Sequence, residues 1–281
     1  MPRISWHDLP ATTRAAVAAH TGTVHAARTA GTGINSGVAA MIDTERGPFF
    51  VKGVPADHSQ ARTQQREAEI NPHLPPGSPR LLWRVRTTEW DLLGFELLHG
   101  RTADFSPGSP DLRKIVDALA RLARTPCPAI PLKEVAQRWA PYTDPTVLHL
   151  LRGEHLLHTD MAPHNVLVDD HGAHLIDWAW PTRGPAWVDP AVWVLRLLEA
   201  GHTPEQADAW AAQLPTWRAA PPADLAAFAD ANTALWTELA AQDPTRTWKA
   251  DLATCAATWA DFTRSARPRH VGDSNDQQHG R

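Results

Sequence analysis

Cysteine is scarce in this chain: two in 281 residues, Cys127 and Cys255, with no C-x-x-C spacing. That argues against a disulfide framework and fits a reducing cytoplasm. No apolar run approaches the roughly eighteen residues that a membrane helix needs. The opening MPRISWHDLPATTRAAVAAH lacks an unbroken apolar h-region, so neither a span nor a secretory signal is expected. A basic excess is missing too. The formal net charge is −4, which offers nothing to nucleic acid or an anionic membrane as partner. What is present is ordinary for a globular protein, with 43% hydrophobic and 21% charged residues. The length suffices for one large domain or two lobes with their own core, as a monomer or homodimer.

The first hundred residues read as strand-rich. A short Ala-rich helix, Pro10 to His20, precedes three strands at Thr23–Arg28, Gly37–Asp43 and Pro48–Val54. TERG makes the turn between the last two. A polar helix is expected over His58–Ile70, then strands at Arg80–Thr87 and Trp90–Leu98. The character changes near residue 100. DLRKIVDALARLAR places Leu112, Ile115, Val116, Leu119 and Leu122 at helical spacing. Further helices are expected at Asp189–Ala200, Pro204–Gln213, Ala223–Ala241 and Thr247–Arg264, with one hairpin, VLVDDHGAHLID, turning at Asp170-His171-Gly172. The expected architecture is α+β and bilobal: residues 1–98 as a small antiparallel-sheet lobe, 99–264 as a larger helical lobe, and 265–281 as a disordered tail.

The chemistry concentrates in LLHTDMAPHNVLVDDHGAHLIDW, Leu156 to Trp178. Asp160 and Asn165 stand in D-x-x-x-x-N, a spacing that sets a carboxylate beside an attacking hydroxyl and an amide oxygen on Mg²⁺. Asp177, closing the hairpin, adds a second carboxylate of the kind that chelates Mg²⁺ against phosphate. Upstream, Lys52 in FFVKG is a strand lysine suited to α- and β-phosphates, and Glu67 is its expected partner, with Glu69 left open. Gly31, Gly33, Asn35, Ser36 and Gly37 lie in a turn that lets backbone approach phosphate. Each signal alone has a bland reading as turn, edge charge or helix surface. Their order along the chain carries the argument.

HTDMAPHN followed by LIDW resembles the signature of the aminoglycoside phosphotransferase family, which has the protein-kinase-like fold. The resemblance spans about residues 20 to 262, with its specific part at 158–178. It implies ATP and Mg²⁺ as cofactors, Asp160 as catalytic base, Asn165 and Asp177 as metal ligands, and His158 as loop support. It also implies Lys52, Glu67 and the glycine turn at the phosphates, and the backbone of Glu96, Leu97 and Leu98 at the adenine. Asp189 resembles the helix-start aspartate that braces the loop, although N-capping would explain it as well. The glycine turn is not G-x-G-x-x-G, and Trp178 replaces the Phe of a protein-kinase D-F-G. With no A-P-E ending in sight, the acceptor implied is a small-molecule hydroxyl.

Two other readings compete. His158 and Asp160 with a distant histidine such as His202 could form a non-haem iron triad, and the fold could serve nucleotide binding without catalysis. As to the acceptor, residues 100–262 hold 20 acidic and 13 basic side chains, a difference of −7. That balance suits a cationic aminocyclitol sugar or amino alcohol. Of the tryptophans in this region, Trp180 and Trp187 flank the catalytic segment and are the candidates for a substrate pocket.

Overall fold

A computed structural model describes residues 2–31 and 36–265. Gly33, Asn35 and the expected tail beyond 265 lie outside the described residues. Helix α1 (Ala11–Thr21) is followed by strands β1 (Val24–Thr29), β2 (Val38–Thr44) and β3 (Gly47–Pro55). Helix α2 (Ala61–Ile70) and strands β4 (Leu81–Arg86) and β5 (Trp90–Glu96) complete this part. The five strands make one antiparallel sheet in the order β1-β2-β3-β5-β4. Side chains alternate across it. Val38, Ala40, Ile42, Phe49 and Val51 face a core shared with Trp6, Leu9 and Val17. Lys52, one residue on, therefore points to the opposite face, where α2 packs. Trp83 of β4 lies over Gly94 of β5, where a Cβ would sit 2.0 Å from the indole.

Two expectations shift here. Helix α2 starts at Ala61 rather than His58, because His58 closes a turn, its ring Nδ1 accepting the Gln60 N–H at 3.1 Å. The strand expected to reach Leu98 ends at Glu96, and Leu97 and Leu98 leave the ladder half-buried.

After β6 (Arg101–Thr102), helix α3 (Asp111–Leu122) buries the expected apolar stripe. Strand β7 (Lys133–Glu134) and helix α4 (Val135–Trp139) precede β8 (His155–Leu157), β9 (Val166–Val168), β10 (Ala173–Leu175) and β11 (Thr182–Gly184). Helices α5 (Val188–Glu199), α6 (Pro204–Ala211), α7 (Pro215–Arg218), α8 (Pro222–Gln242) and α9 (Thr247–Ser265) complete the fold. The expected β9–β10 hairpin is present and turns at Gly172, whose φ of 154° falls where only glycine is at ease. Asp169 fixes that turn by accepting the N–H groups of His171 and Gly172.

A second small sheet, β7-β11-β8, is not among the elements expected from the sequence. Strands of two or three residues are too short to show a period in the sequence. Phe228 of α8 gathers Trp139, Trp187 and Trp259 around it at centroid distances of 5.1, 5.5 and 6.4 Å. Trp187 is therefore core rather than pocket lining, buried in the hydrophobic core against Phe228.

Replacing Gly94 by Val would force the Trp83 ring aside. Overpacking of this kind typically costs ~1–3 kcal/mol. Urea unfolding of Gly94→Val should show a loss of that size, and an unchanged midpoint would contradict the packing.

Candidate active site

The catalytic-type loop begins where β8 ends. His158 is buried, and its ring spans two backbones: Nδ1 accepts the Asp160 N–H at 3.2 Å, and Nε2 donates to the Ile176 carbonyl at 2.8 Å. The bonding sets the tautomer and leaves neither nitrogen for a metal. The other histidine of the iron reading, His202, is buried with Nε2 on the Phe105 carbonyl at 2.8 Å. His202 Nδ1 is buried without a partner among the described residues. Among the described residues, no three His, Cys, Asp or Glu side chains converge as a metal site. The oxygenase constellation is therefore not built.

Thr159 has φ of 63°, the left-handed region, where a β-branched side chain is strained. Strain of this kind costs ~1–3 kcal/mol and survives only if neighbours enforce it. Here they do. Buried Asp189 accepts the N–H groups of His158 and Thr159 at 2.9 and 2.7 Å. The Thr159 hydroxyl donates to the Trp180 carbonyl at 3.0 Å and accepts from Arg138 at 2.5 Å. Arg138 also donates to the Thr182 hydroxyl at 2.6 Å. Asp189 makes no capping bond to its own helix, so of its two sequence readings the geometry supports the brace. Burial raises its carboxyl, although His158, the two backbone donors and Arg138 pull it down.

Asp160 follows, its side chain 38% exposed, with Arg196 Nη2 at 4.0 Å. Asn165 donates from Nδ2 to the Asp160 carbonyl at 3.2 Å, which turns its amide oxygen the other way. The Asn165 carbonyl receives the Ile176 N–H at 2.9 Å. Ile176 thus knits His158 and Asn165 to the residue before Asp177. Asp177 is the second non-glycine with positive φ, 60°.

Lys52 joins this loop from the sheet. Its ammonium sits 2.6 Å from Glu67 Oε2 and 2.8 Å from Asp177 Oδ1. The helix register left open by the sequence is resolved: Gln64, Glu67 and Ile70 share the buried face, while Glu69 is exposed on Gln65 at 2.8 Å. Burial would lower the Lys52 ammonium, but Asp177 and Glu67 raise it above its ordinary range. Burial pushes Glu67 up to about 7, against the attraction of Lys52 and with the repulsion of Asp177 added. Asp177 is also desolvated, yet Lys52 wins and holds it below the usual carboxylate range. One ammonium thus serves two carboxylates.

Several expected residues are less engaged. Among the glycine-turn residues, Gly31 is exposed with open space around its Cβ position, Ser36 is half-buried, and Gly37 is buried with its carbonyl on the Ile4 N–H at 2.8 Å. Glu96 pairs with Arg80 at 3.1 Å at the end of β5. Trp180 is half-buried, with the Arg138 guanidinium 5.4 Å from its ring centroid. Arg138 and Arg196 were missed by sequence reading. Their contacts with the loop cross 21 and 36 positions, and no local pattern announces them.

No family model matches the chain, and no curated protein matches it in sequence. Solved structures do. Aminoglycoside phosphotransferase APH(4)-Ia superposes with a TM-score of 0.64 at 15% identity, over 92% of this chain and 99% of that one. The fold is that of the aminoglycoside phosphotransferases. A thermostable mutant of the same protein, in ternary complex with AMP-PNP and hygromycin B, gives 0.62 at 16% identity over 92% and 100%. LicA in complex with AMP gives 0.61 at 11% identity over 90% and 97%. On this phosphotransferase fold, the chain brings Lys52, Glu67, Asp160, Asn165, Asp177 and Asp189 together around one loop.

The Glu67 carboxyl allows a signed test. Its folded-state value lies above its ordinary 4.5, so the folded chain holds this proton more tightly than the unfolded one. That contribution is fully present below about pH 4.5 and is lost as pH rises through about 7. Relative to Glu67→Gln, which cannot titrate, the parent protein should lose on the order of 1–3 kcal/mol across this window. Thermal melts of both proteins from pH 4.5 to 8 read the difference, and parallel curves would refute it.

Proposed function

We propose that this protein is an ATP-dependent phosphotransferase that moves the γ-phosphoryl group to a hydroxyl of a small molecule. The observation that carries this reading is Lys52, held between Glu67 and Asp177 beside the loop of Asp160 and Asn165. A buried lysine with a glutamate brace is the arrangement that presents a fixed cation to nucleotide phosphates. In this reading residues 1–98 form the nucleotide lobe and 99–264 the acceptor lobe. Gly31, Gly33, Asn35, Ser36 and Gly37 cover the phosphates, and the backbone of Glu96 to Leu98 meets the adenine. Solved structures of the same fold include one with AMP and one with AMP-PNP and hygromycin B, which supports a nucleotide and a small-molecule acceptor.

The oxygen donors fit Mg²⁺. Asp177 Oδ2 is free of the Lys52 bond, its side chain is 37% exposed, and the Asn165 amide oxygen is turned away from its own loop. A hard cation prefers such a sparse all-oxygen set and completes its shell with phosphate and water. When bound, Mg²⁺ neutralises charge on the β- and γ-phosphates. The residues do the rest. Asp160 accepts the proton of the acceptor hydroxyl as the oxygen bonds to the γ-phosphorus. The bond from that phosphorus to the β,γ-bridging oxygen breaks, and ADP leaves. His158 and Asp189 hold the loop so that the Asp160 carboxylate keeps its place during the step.

Asp160→Asn should lower kcat about 10²–10⁴-fold and leave nucleotide affinity intact. An ATP-consumption screen across aminoglycosides, nucleosides, amino alcohols and sugars finds the acceptor, and unimpaired turnover by the variant would remove Asp160 from its role. Mg²⁺ with AMP-PNP at a hundredfold excess over Kd should stabilise the protein by about 2.7 kcal/mol. Lys52→Met should cancel most of that gain in the same thermal melt, and a full shift in the variant would contradict the lysine's role.

A further inference from the structure

The residue before Asp160 belongs to a small closed network of hydrogen bonds. Arg138, half-buried on the short helix α4, donates from Nη1 to the hydroxyls of Thr159 and Thr182 at 2.5 and 2.6 Å. Both hydroxyls donate their own hydrogen to the Trp180 carbonyl, Thr159 at 3.0 Å and Thr182 at 2.9 Å. A hydroxyl has one hydrogen, so each oxygen is then left only with lone pairs to offer. Thr159 and Thr182 are both buried. The network therefore calls for a donor with two hydrogens at this point, and Nη1 supplies one to each. Its third contact, to the Trp180 carbonyl at 3.4 Å, is long.

The partners of Arg138 lie on separate arms of the site. Thr159 precedes Asp160, Trp180 follows Asp177 by three residues, and Thr182 pairs with Leu157 at the end of β8. Thr159 stands at φ 63°, which a β-branched residue resists. Its N–H is fixed by Asp189 and its hydroxyl by Arg138. A turn of the chain at this residue would swing the carboxylate that comes next. The guanidinium is itself held between two indoles, with Trp139 at 4.9 Å and Trp180 at 5.4 Å from its carbon. Such a slot suits a planar cation better than an ammonium. Burial lowers Arg138 to about 10 against the pull of Asp160 and Asp189, so it keeps its charge at neutral pH. Its hydrogen bond to the loop runs through Thr159, not through the Asp160 carboxylate.

We propose that Arg138 is a positioning residue for the phosphoryl transfer, acting on Asp160 through Thr159. By gripping the Thr159 hydroxyl it keeps that residue in the left-handed region, and so sets the direction in which Asp160 leaves the chain. The role concerns the base and not the nucleotide: Lys52, Glu67 and Asp177 are not among its hydrogen-bond partners. This assignment rests on the phosphotransferase reading above.

Glycine is at ease in the left-handed region, so Thr159→Gly takes this conformation without a hydroxyl for Arg138 to grip. The test is a double-mutant cycle over Arg138→Met and Thr159→Gly, read both in kcat and in melting temperature. Turnover is ATP consumption with the acceptor of highest rate in the screen above, or ATP hydrolysis alone where no acceptor raises it. Arg138→Met should lower kcat about 10- to 100-fold, as a misplaced catalytic group does, with the KM for ATP and the Mg²⁺-dependent AMP-PNP shift unchanged. In the Thr159→Gly background the same substitution should cost much less, in kcat and in melting temperature alike. Arg138→Lys keeps a cationic donor; it should show a smaller loss of the same kind and remains informative if Arg138→Met folds poorly. A lowered melting temperature with kcat intact in the folded variants would make Arg138 fold support and overturn the proposal. Additive effects around the cycle, or a loss confined to the KM for ATP, would overturn it too. A parent protein with neither turnover nor an AMP-PNP shift would instead defeat the phosphotransferase reading, while the melting cycle would still decide whether Arg138 acts on Thr159.

Discussion

The ammonium of Lys52 is the point on which the site depends, because it is shared by two carboxylates that come from different parts of the fold. Glu67 approaches from α2, packed on the sheet, and Asp177 approaches from the end of the β9–β10 hairpin. Desolvation penalises all three charges, and their mutual contact is the main offset to it. Two carboxylates on one ammonium leave a net negative charge; burial, with repulsion from Asp177 added, keeps Glu67 high, while Lys52 holds Asp177 low. In the proposed reading a divalent cation would supply the missing positive charge at Asp177 and leave Lys52 to Glu67 and phosphate.

Around that ion cluster, the loop is held by hydrogen bonds as well as by the burial of Met161 in the core. Thr159 and Asp177 both occupy the left-handed region, on either side of the stretch that carries Asp160 and Asn165. Each is enforced by groups distant in sequence: Asp189 and Arg138 at Thr159, Lys52 at Asp177. His158 adds the link between the two halves, since its ring connects Asp160 to Ile176. Strain that is over-determined in this way keeps a carboxylate in one place without a regular element to hold it. The same hydrogen bonds take up both nitrogens of His158, which is why a histidine that looks like a ligand in the sequence is loop support in the fold.

Composition and local charge answer different questions about a site. An acidic lobe suits a cationic acceptor, whereas the charged side chain within 4.0 Å of the Asp160 carboxylate is a cation itself, Arg196. Net charge sums over a surface and governs encounter at long range, whereas recognition depends on the few groups within reach of the ligand. The tryptophans carry the same lesson. Trp180 does stand beside the loop, but Trp187, seven residues on, belongs to the Phe228 core.

What the chain determined by itself was whatever repeats locally. Strand alternation in VAAMIDT and GPFFVKGVP, the helical spacing of DLRKIVDALARL, and the D-x-x-x-x-N spacing all express short-range geometry, so the five-stranded sheet, the long helices and the loop of Asp160 were legible before the fold was known. Glu67 over Glu69 was legible only in part, because a helix shows its periodicity but not its rotation until something packs against it. Tertiary structure decided the remainder. It chose the buried face of α2, set Thr182–Gly184 as a strand beside β8, and sent Trp187 to the core. It also brought Arg138 to Thr159 across 21 positions. Those outcomes depend on contacts between distant segments, and a pairwise contact that occurs once leaves no period for the sequence to display.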